Sequence, residues 1–270
     1  MSKFTWDQLD GVLTCEAEGI TGRPFASNFS EVSLSTSLRM ATRSEVVNYS
    51  EWCNGELSKL SENCPLHGRI IGGTSSIVLG DSDRSEGYGI FPVRQRNVLR
   101  SQEWVDYRQH FVSSLKAVGH SVRFSYALSK TLTELSDNII QHSEPDGIDD
   151  FKGVVGYHVD SDEFTLCVSD AGRGILSSLR DNQANADLNT DTEAVMAAAK
   201  DHRSRRPDNC GTGFKQLFRS LADLNCRISF ASGNARVVFE GIGEQSLTTN
   251  VSANEVGFHL EVFWKNPKIA

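Results

Sequence analysis

The sequence has no run of about 18 apolar residues, so it predicts no membrane-spanning helix. Its first residues, MSKFTWDQLDG, carry no apolar stretch of the kind a secretory leader needs. Cys15, Cys53, Cys64, Cys167, Cys210 and Cys226 are scattered, and no two of them form a CxxC pair. The spacing expected of a structural zinc site is therefore missing. The expectation is reduced, mostly buried thiols in a cytoplasmic protein. An excess of positive charge is also absent. The formal net charge is -8, which argues against a broad electrostatic footprint for nucleic acid or an anionic membrane. Neither is an expected partner. There is no internal repeat and no low-complexity tract.

What is present is an ordinary globular mix, 39% hydrophobic and 23% charged over 270 residues, enough for one large domain or two small ones. The first hundred residues are poor in signals. Residues 44–62 have helix-like spacing with Ser44 as the N-cap. GRIIGG and SSIVLG read as short strands or turns, and residues 80–89 as a Gly-, Ser- and Asp-rich loop. GIFPVRQRNVL reads as a strand that Pro92 confines to an edge or an end. The texture changes near Ser101. Residues 103–119 and 121–142 are helical patterns, the first stopped by Gly119. Strands follow at 153–160 and 164–172, then a short helix at 191–200 and a helix introduced by CGTG. CRISFASGNARVVFEG reads as a strand, a turn at Ser232-Gly233-Asn234 and another strand, and residues 257–264 close the chain as a strand. Helices first and strands mostly last imply an α+β sandwich rather than a βαβ repeat. The expected organisation is an N-terminal domain over 1–100 and a second domain over 101–267.

Three short motifs carry chemistry. In the helix over 121–142, which ends in LTELSDNIIQH, the apolar residues Phe124, Leu128, Leu132, Leu135 and Ile139 form one helical stripe. Glu134, Asn138 and His142 form a second stripe about a quarter turn away, at the margin of the buried face. Alone, this row reads as a solvated face. In SDAGRGI, residues 169–175, Asp170 ends an apolar strand and is followed by Gly172 and Gly174. This gives an acceptor at a fixed height and a backbone able to approach a planar heterocycle with an exocyclic amine. Alone, it is also an ordinary Asp-Gly turn. In CGTGFKQL, residues 210–217, Gly211, Thr212 and Gly213 open a helix, whose first N–H groups favour phosphate. It is neither a P-loop nor a Rossmann fingerprint, because the spacing and the strand context differ.

The order of the three resembles the gyrase, heat-shock chaperone, histidine kinase and mismatch-repair (GHKL) ATPase superfamily, over about residues 104–265. The resemblance implies a Bergerat ATP-binding fold, a two-layer α/β sandwich of a mixed sheet with helices on one face, plus a smaller N-terminal α/β region. It implies ATP and Mg²⁺ as cofactors, with Asn138 as the metal ligand, as suits the oxygen preference of Mg²⁺. Glu134 stands where hydrolytic members carry the general base, and His142 where kinase-type members carry a residue near phosphate. Asp137 holds the helix end or a water. By the same resemblance Asp170 accepts from the adenine amine, Gly172 and Gly174 give the ring room, and Ile175 forms an apolar wall. Gly211, Thr212, Gly213, Phe214 and Lys215 meet the phosphates, and residues 176–209 form a mobile lid. Within that lid HRSRRPD offers three arginines to the γ-phosphate or to solvent.

The sequence also departs from the family. The third box usually reads GxGLGL, and here it reads GTGFKQL. His110 and His120 are not followed by an acid, so the phosphoacceptor motif of a sensor kinase is missing. The chain is too short for the transducer domain of topoisomerases. The resemblance implies a stand-alone Mg²⁺-dependent ATPase acting as a regulatory switch on a protein partner. The alternatives are an anti-sigma-factor-type serine kinase acting on a partner protein, or a non-catalytic nucleotide-sensing regulator. Many members of the superfamily dimerise, so a homodimer is among the expectations.

Overall fold

A computed structural model describes residues 3–18, 29, 31–44, 50–64, 67, 77–80, 86–94, 96–142, 153–205, 212–222, 224–241 and 245–266. The GRIIGG stretch, Cys210 and Gly211 lie outside them. The chain begins with β1 (Lys3–Phe4), α1 (Trp6–Ala17), β2 (Glu31–Val32), α2 (Leu34–Ser44) and α3 (Glu51–Asn63). Next come β3 (Val78–Gly80), β4 (Glu86–Val93), α4 (Gln102–Ala117) and α5 (Val122–His142), then the hairpin of β5 (Gly153–Asp160) and β6 (Glu163–Asp170). Helices α6 (Gly174–Leu179), α7 (Asp191–Ala199) and α8 (Thr212–Leu221) lead to β7 (Cys226–Glu240) and β8 (Gln245–Lys265). Among the described residues no helix is long and apolar enough to cross a membrane.

The fold is α+β, with one open sheet in the order β3-β4-β5-β6-β8-β7. Every pairing in it is antiparallel, so the sheet is not the mixed one expected. Hairpins account for this. β5 turns into β6 through Ser161 and Asp162, and the α4–α5 helical hairpin returns the chain beside β4. The only parallel pair among the described residues is the separate β1–β2 contact. Nor does the sheet stop at the boundary expected near residue 100. β4 pairs along its whole length with β5. The expected loop over 80–89 thus ends in strand, and Pro92 sits one residue from the end of β4.

Alternation along the strands builds two interfaces. Val155, Tyr157, Val159, Phe164, Leu166, Val168, Leu260 and Val262 face one side and pack under α4, α5, α7 and α8 in the main core. From α4 come Trp104, Tyr107, Phe111 and Leu115, and from α5 Leu128, Leu132, Leu135 and Ile139. Each such side chain contributes about 1.5–3 kcal/mol on burial. Ser101 caps α4 by accepting from Trp104 N, and Gly119 ends it at φ +94. The other face of the sheet is covered as well. Leu34, Leu38 and Ala41 of α2 pack on Ile90, Val154 and Cys167. α1, α2 and α3 share a second small core. The helix expected to begin at Ser44 begins at Glu51, where Ser50 accepts from Cys53 N. Ser44 is instead the last residue of α2, and its hydroxyl donates to Ala41 O at 2.7 Å.

The N-terminal helices are fastened to β8 by charge rather than by apolar contact. The guanidinium of Arg39, 1% exposed, donates to Glu255 Oε2 at 2.6 Å and lies 2.6 Å from Asp10 Oδ1. Arg236 of β7 pairs with Asp7 at 2.6 Å and also with Asp10. Both guanidinium groups approach the Trp6 ring, Arg39 at 4.9 Å and Arg236 at 5.5 Å from its centroid. Burial pushes the Glu255 carboxyl up, but Arg39 and His259 outweigh it and hold the carboxyl well below the usual carboxylate range. Removing one partner from a buried pair strands the other. Arg39→Ala is therefore expected to cost roughly 3–5 kcal/mol in urea unfolding. A loss under about 1 kcal/mol, the scale of a surface pair, would show that the cluster does not anchor these helices.

Candidate functional site

The three motifs meet at one end of the sheet. The start of α5 lies over the end that holds Phe164: His120 and Phe124 contact its ring at 5.7 and 6.1 Å. The far end of α5 lies over the opposite end, where a Cβ placed on Gly153 would come 3.0 Å from Ile139 Cγ2. Gly153 pairs with Asp170, and Asp170 with Phe258. α8 runs the other way. Phe214, near its start, packs 5.6 Å from Phe258, and the chain leaves α8 for Cys226, which pairs with Trp264 at the Phe164 end. The Thr131 and Ser220 hydroxyls join the two helices at 3.1 Å. Asn138 lies seven residues beyond Thr131 and Gly213 seven residues before Ser220. At 1.5 Å per residue each is about 10 Å along its helix from the shared contact. Antiparallel helices therefore bring Asn138 and the first turn of α8 to the same height, above Asp170.

Asp170 is 6% exposed. Its Oδ1 accepts from Gly172 N at 2.8 Å, and its carboxylate also accepts from Phe258 N. Burial pushes the carboxyl up to about 7, against these two donors. Asn138 is half-buried, and its amide has no hydrogen-bond partner among the described residues. Glu134 is half-buried one turn earlier. Asp137 accepts from Gln141 on the same helix. The side chains of His142 and Thr212 and the whole of Gly211 lie outside what is described.

The glycine-rich loop has a structural logic that the expectation did not contain. Gly174 starts α6 at φ +77, and a Cβ there would meet Ser232 Oγ at 2.9 Å. Ser232 Oγ accepts from Ile175 N and donates to Gly257 O, both at 3.0 Å. Gly257, also at φ +77, could not carry a Cβ, which would fall 2.0 Å from Asp170 O. Ser232 and Gly257 thus set the loop's position, and sequence reasoning missed them. The signal was a glycine interrupting an apolar strand in EVGFHL. The Ser232–Asn234 turn is present within β7. The chain folds back there, so that Gly241 N donates to Cys226 O at 2.9 Å and Arg227 faces Glu240 at 3.4 Å.

Two other expectations shift. The ring of Phe214 packs on Phe230 and Phe258 rather than standing over the helix end, whereas Lys215 is exposed. The described part of the expected lid is anchored. Leu179, Leu188, Val195 and Ala198 join the main core, and α7 starts with a capping box between Thr190 and Glu193. Two of the lid arginines are engaged, Arg203 with Asp187 at 2.7 Å and Arg205 with Asp181 at 3.9 Å; Arg206 lies outside the described residues. An open groove of about 490 Å³ borders Gly172 and Gly174 on the side of Asp191, Gly233 and Gly257, away from Asn138. We place the candidate site on the α5 side, because the Asp170 side chain belongs to the face of β6 that α5 and α8 cover. The chain matches no protein-family model and no curated protein.

The raised Asp170 carboxyl has a consequence for stability. Its folded value of about 7 lies above the ordinary 3.8. The folded state therefore binds the extra proton between those values, and stability falls as pH rises from about 4 to about 7. The full penalty above pH 7 is on the order of 4 kcal/mol as an upper bound. Asp170→Asn should flatten the urea-unfolding profile between pH 4 and 8 and gain on wild type at the alkaline end. An unchanged slope would show that Asp170 is not the group responsible.

Proposed function

We propose that the protein binds ATP with Mg²⁺ at the end of the sheet where α5, the β6–α6 loop and α8 meet, and hydrolyses it as a regulatory switch. The observation that carries this reading is the convergence there of Asp170, Asn138 and the first turn of α8, which lie far apart in sequence. The donor set suits the ligand. Asp170 is a buried acceptor able to select an exocyclic amine, and its two backbone donors leave the carboxylate further acceptor capacity. Asn138 offers an uncommitted amide oxygen, of the hard type Mg²⁺ takes. The first turn of α8 has N–H groups without intrahelical partners, and these favour phosphate.

When bound, Mg²⁺ supplies charge neutralisation between the phosphates. The protein's own part is positional. Asp170 orients the base, Asn138 holds the metal, and α8 cradles the phosphates. Glu134, one turn before Asn138 on the same face, is the carboxylate placed to take a proton from water. The resemblance extends this to a protein partner that reads the nucleotide state.

Calorimetry with ATP and Mg²⁺ tests binding. Asp170→Ala should weaken ATP by roughly tenfold or more, and GTP, which presents a carbonyl where adenine presents an amine, should bind poorly. Asn138→Ala should remove the dependence on Mg²⁺. Glu134→Ala should retain binding and slow phosphate release by about 100-fold or more. Unchanged ATP affinity in Asp170→Ala would refute the adenine contact, and equal release rates in Glu134→Ala would refute the base. Labelled γ-phosphate appearing on a protein instead of in solution would turn the activity from hydrolysis to kinase transfer.

A further inference from the structure

The reverse face of the sheet holds a cavity of about 300 Å³, closed by β1, the start of α1 and the β2–α2 junction. Its floor is a row across five strands. Tyr88 pairs with His158, His158 with Thr165, Thr165 with Phe263, and Phe263 with Arg227. Alternation turns all of them away from the main core. One step along β8, on the same face, is Glu261.

The charges around the cavity are matched but for one. Lys3 pairs with Glu31 at 3.1 Å and Glu163 at 3.5 Å, Arg227 with Glu240 at 3.4 Å, and Arg236 with Asp7 at 2.6 Å. Glu261 has no cation within ion-pair distance among the described residues. One of its oxygens accepts from Ser35 Oγ, and the other has no partner there. Burial raises its carboxyl, opposed by the Ser35 hydrogen bond and by more distant Arg227, Arg236 and Lys3. Glu261 keeps some accessible surface because it borders the cavity, although protein surrounds it. The Thr165 hydroxyl borders the same space; Thr165 is only 7% exposed, and its Oγ1 has no hydrogen-bond partner among the described residues. Polar atoms that border the cavity without a protein partner can pair with a ligand there.

We propose that this cavity binds a small molecule bearing a protonated amine, held by Glu261 and Thr165, which lie on adjacent strands. An ammonium has donors for both the carboxylate and the Thr165 hydroxyl, and it supplies the one positive charge that the surroundings lack. Phe263 and the ring of Tyr88 give an apolar wall for the rest of the molecule, and the volume suits a small ligand. An anion is disfavoured, because each cation around the cavity already has a carboxylate. The site is separate from the nucleotide site, on the opposite face of the sheet, and does not rest on that reading.

The test uses the full chain with three probes of one shape: benzylamine, benzyl alcohol and benzoate. Calorimetry should show benzylamine binding at least about tenfold more tightly than either of the others. Glu261→Gln, which keeps the acceptor for Ser35, and Thr165→Val should each lower benzylamine affinity by roughly tenfold. If Glu261→Gln fails to fold, Thr165→Val reads out the same loss. Equal binding of all three probes, preference for benzoate, no binding of benzylamine, or full affinity in the Glu261 and Thr165 variants would each overturn the proposal.

Discussion

One guanidinium decides how the two halves of this chain meet. Arg39 lies between Asp10 and Glu255, with Trp6 against its face. A charge this deeply buried is stable only when paired, since the desolvation cost of the ions is several kcal/mol each. The pair therefore ties α1 and α2 to β8 in one arrangement, and an apolar contact of the same area would be less particular about direction. The arrangement is not fully satisfied. Arg39 Nη1 is buried with no hydrogen-bond partner among the described residues. That is the usual expense of a charged anchor, and it argues that position, rather than net stability, is what the cluster supplies. The roof of the reverse-face cavity is made of the same N-terminal segment, which Lys3–Glu163, Ser35–Glu261 and the apolar packing of α2 also hold on the sheet.

The sequence was most readable where local rules and burial agree. The helices over 102–142 follow from apolar spacing, a serine cap and a glycine stop, and all of these are short-range. The β5–β6 hairpin and the helix after CGTG were legible for the same reason. The N-terminal hundred residues were not, because their packing depends on distant partners. Ser35, Thr36, Ser37, Arg39 and Thr42 are buried on α2, where a pattern reader expects a solvated helix. Ser35 bonds Glu261 and Arg39 bonds Glu255, each more than 200 residues away, and Ser37 bonds His67; no local period encodes such contacts. The strands of the reverse face gave a faint signal. Thr165 and Ser169 alternate with apolar residues in β6, and Glu255, His259 and Glu261 alternate in β8, a period-two pattern with the polar side turned inward.

At the candidate site the residue types were legible and their meeting was not. Asn138 and Asp170 are separated by a helix end and a hairpin, and only the antiparallel run of α5 against α8 brings the third motif to them. The sequence also assigned to Gly174 a role toward a ligand. Its position at φ +77 against Ser232 gives the glycine a reason that holds with or without one. Functional and structural demands on one residue do not compete here. A loop that must pass close to a planar ring and a loop that must turn sharply into a helix both require a residue without a side chain.

The two faces share one strand. β8 presents Glu255 and Glu261 to the N-terminal side. From the segment between them Phe258 donates its N–H to Asp170, and Gly257 sits against the Asp170 carbonyl. The side-chain period of a strand is two, so a slip of one residue would exchange the faces of all these groups at once. β8 therefore cannot adjust the Asp170 contact independently of the Arg39 anchor or the cavity floor. The positive φ of Gly257 strengthens this constraint, because a register shift would ask Val256 or Phe258 to adopt a backbone conformation that costs an L side chain about 1–2 kcal/mol. The position of Asp170, which looks local to a strand end, is thus fixed by ion pairs on the far side of the sheet.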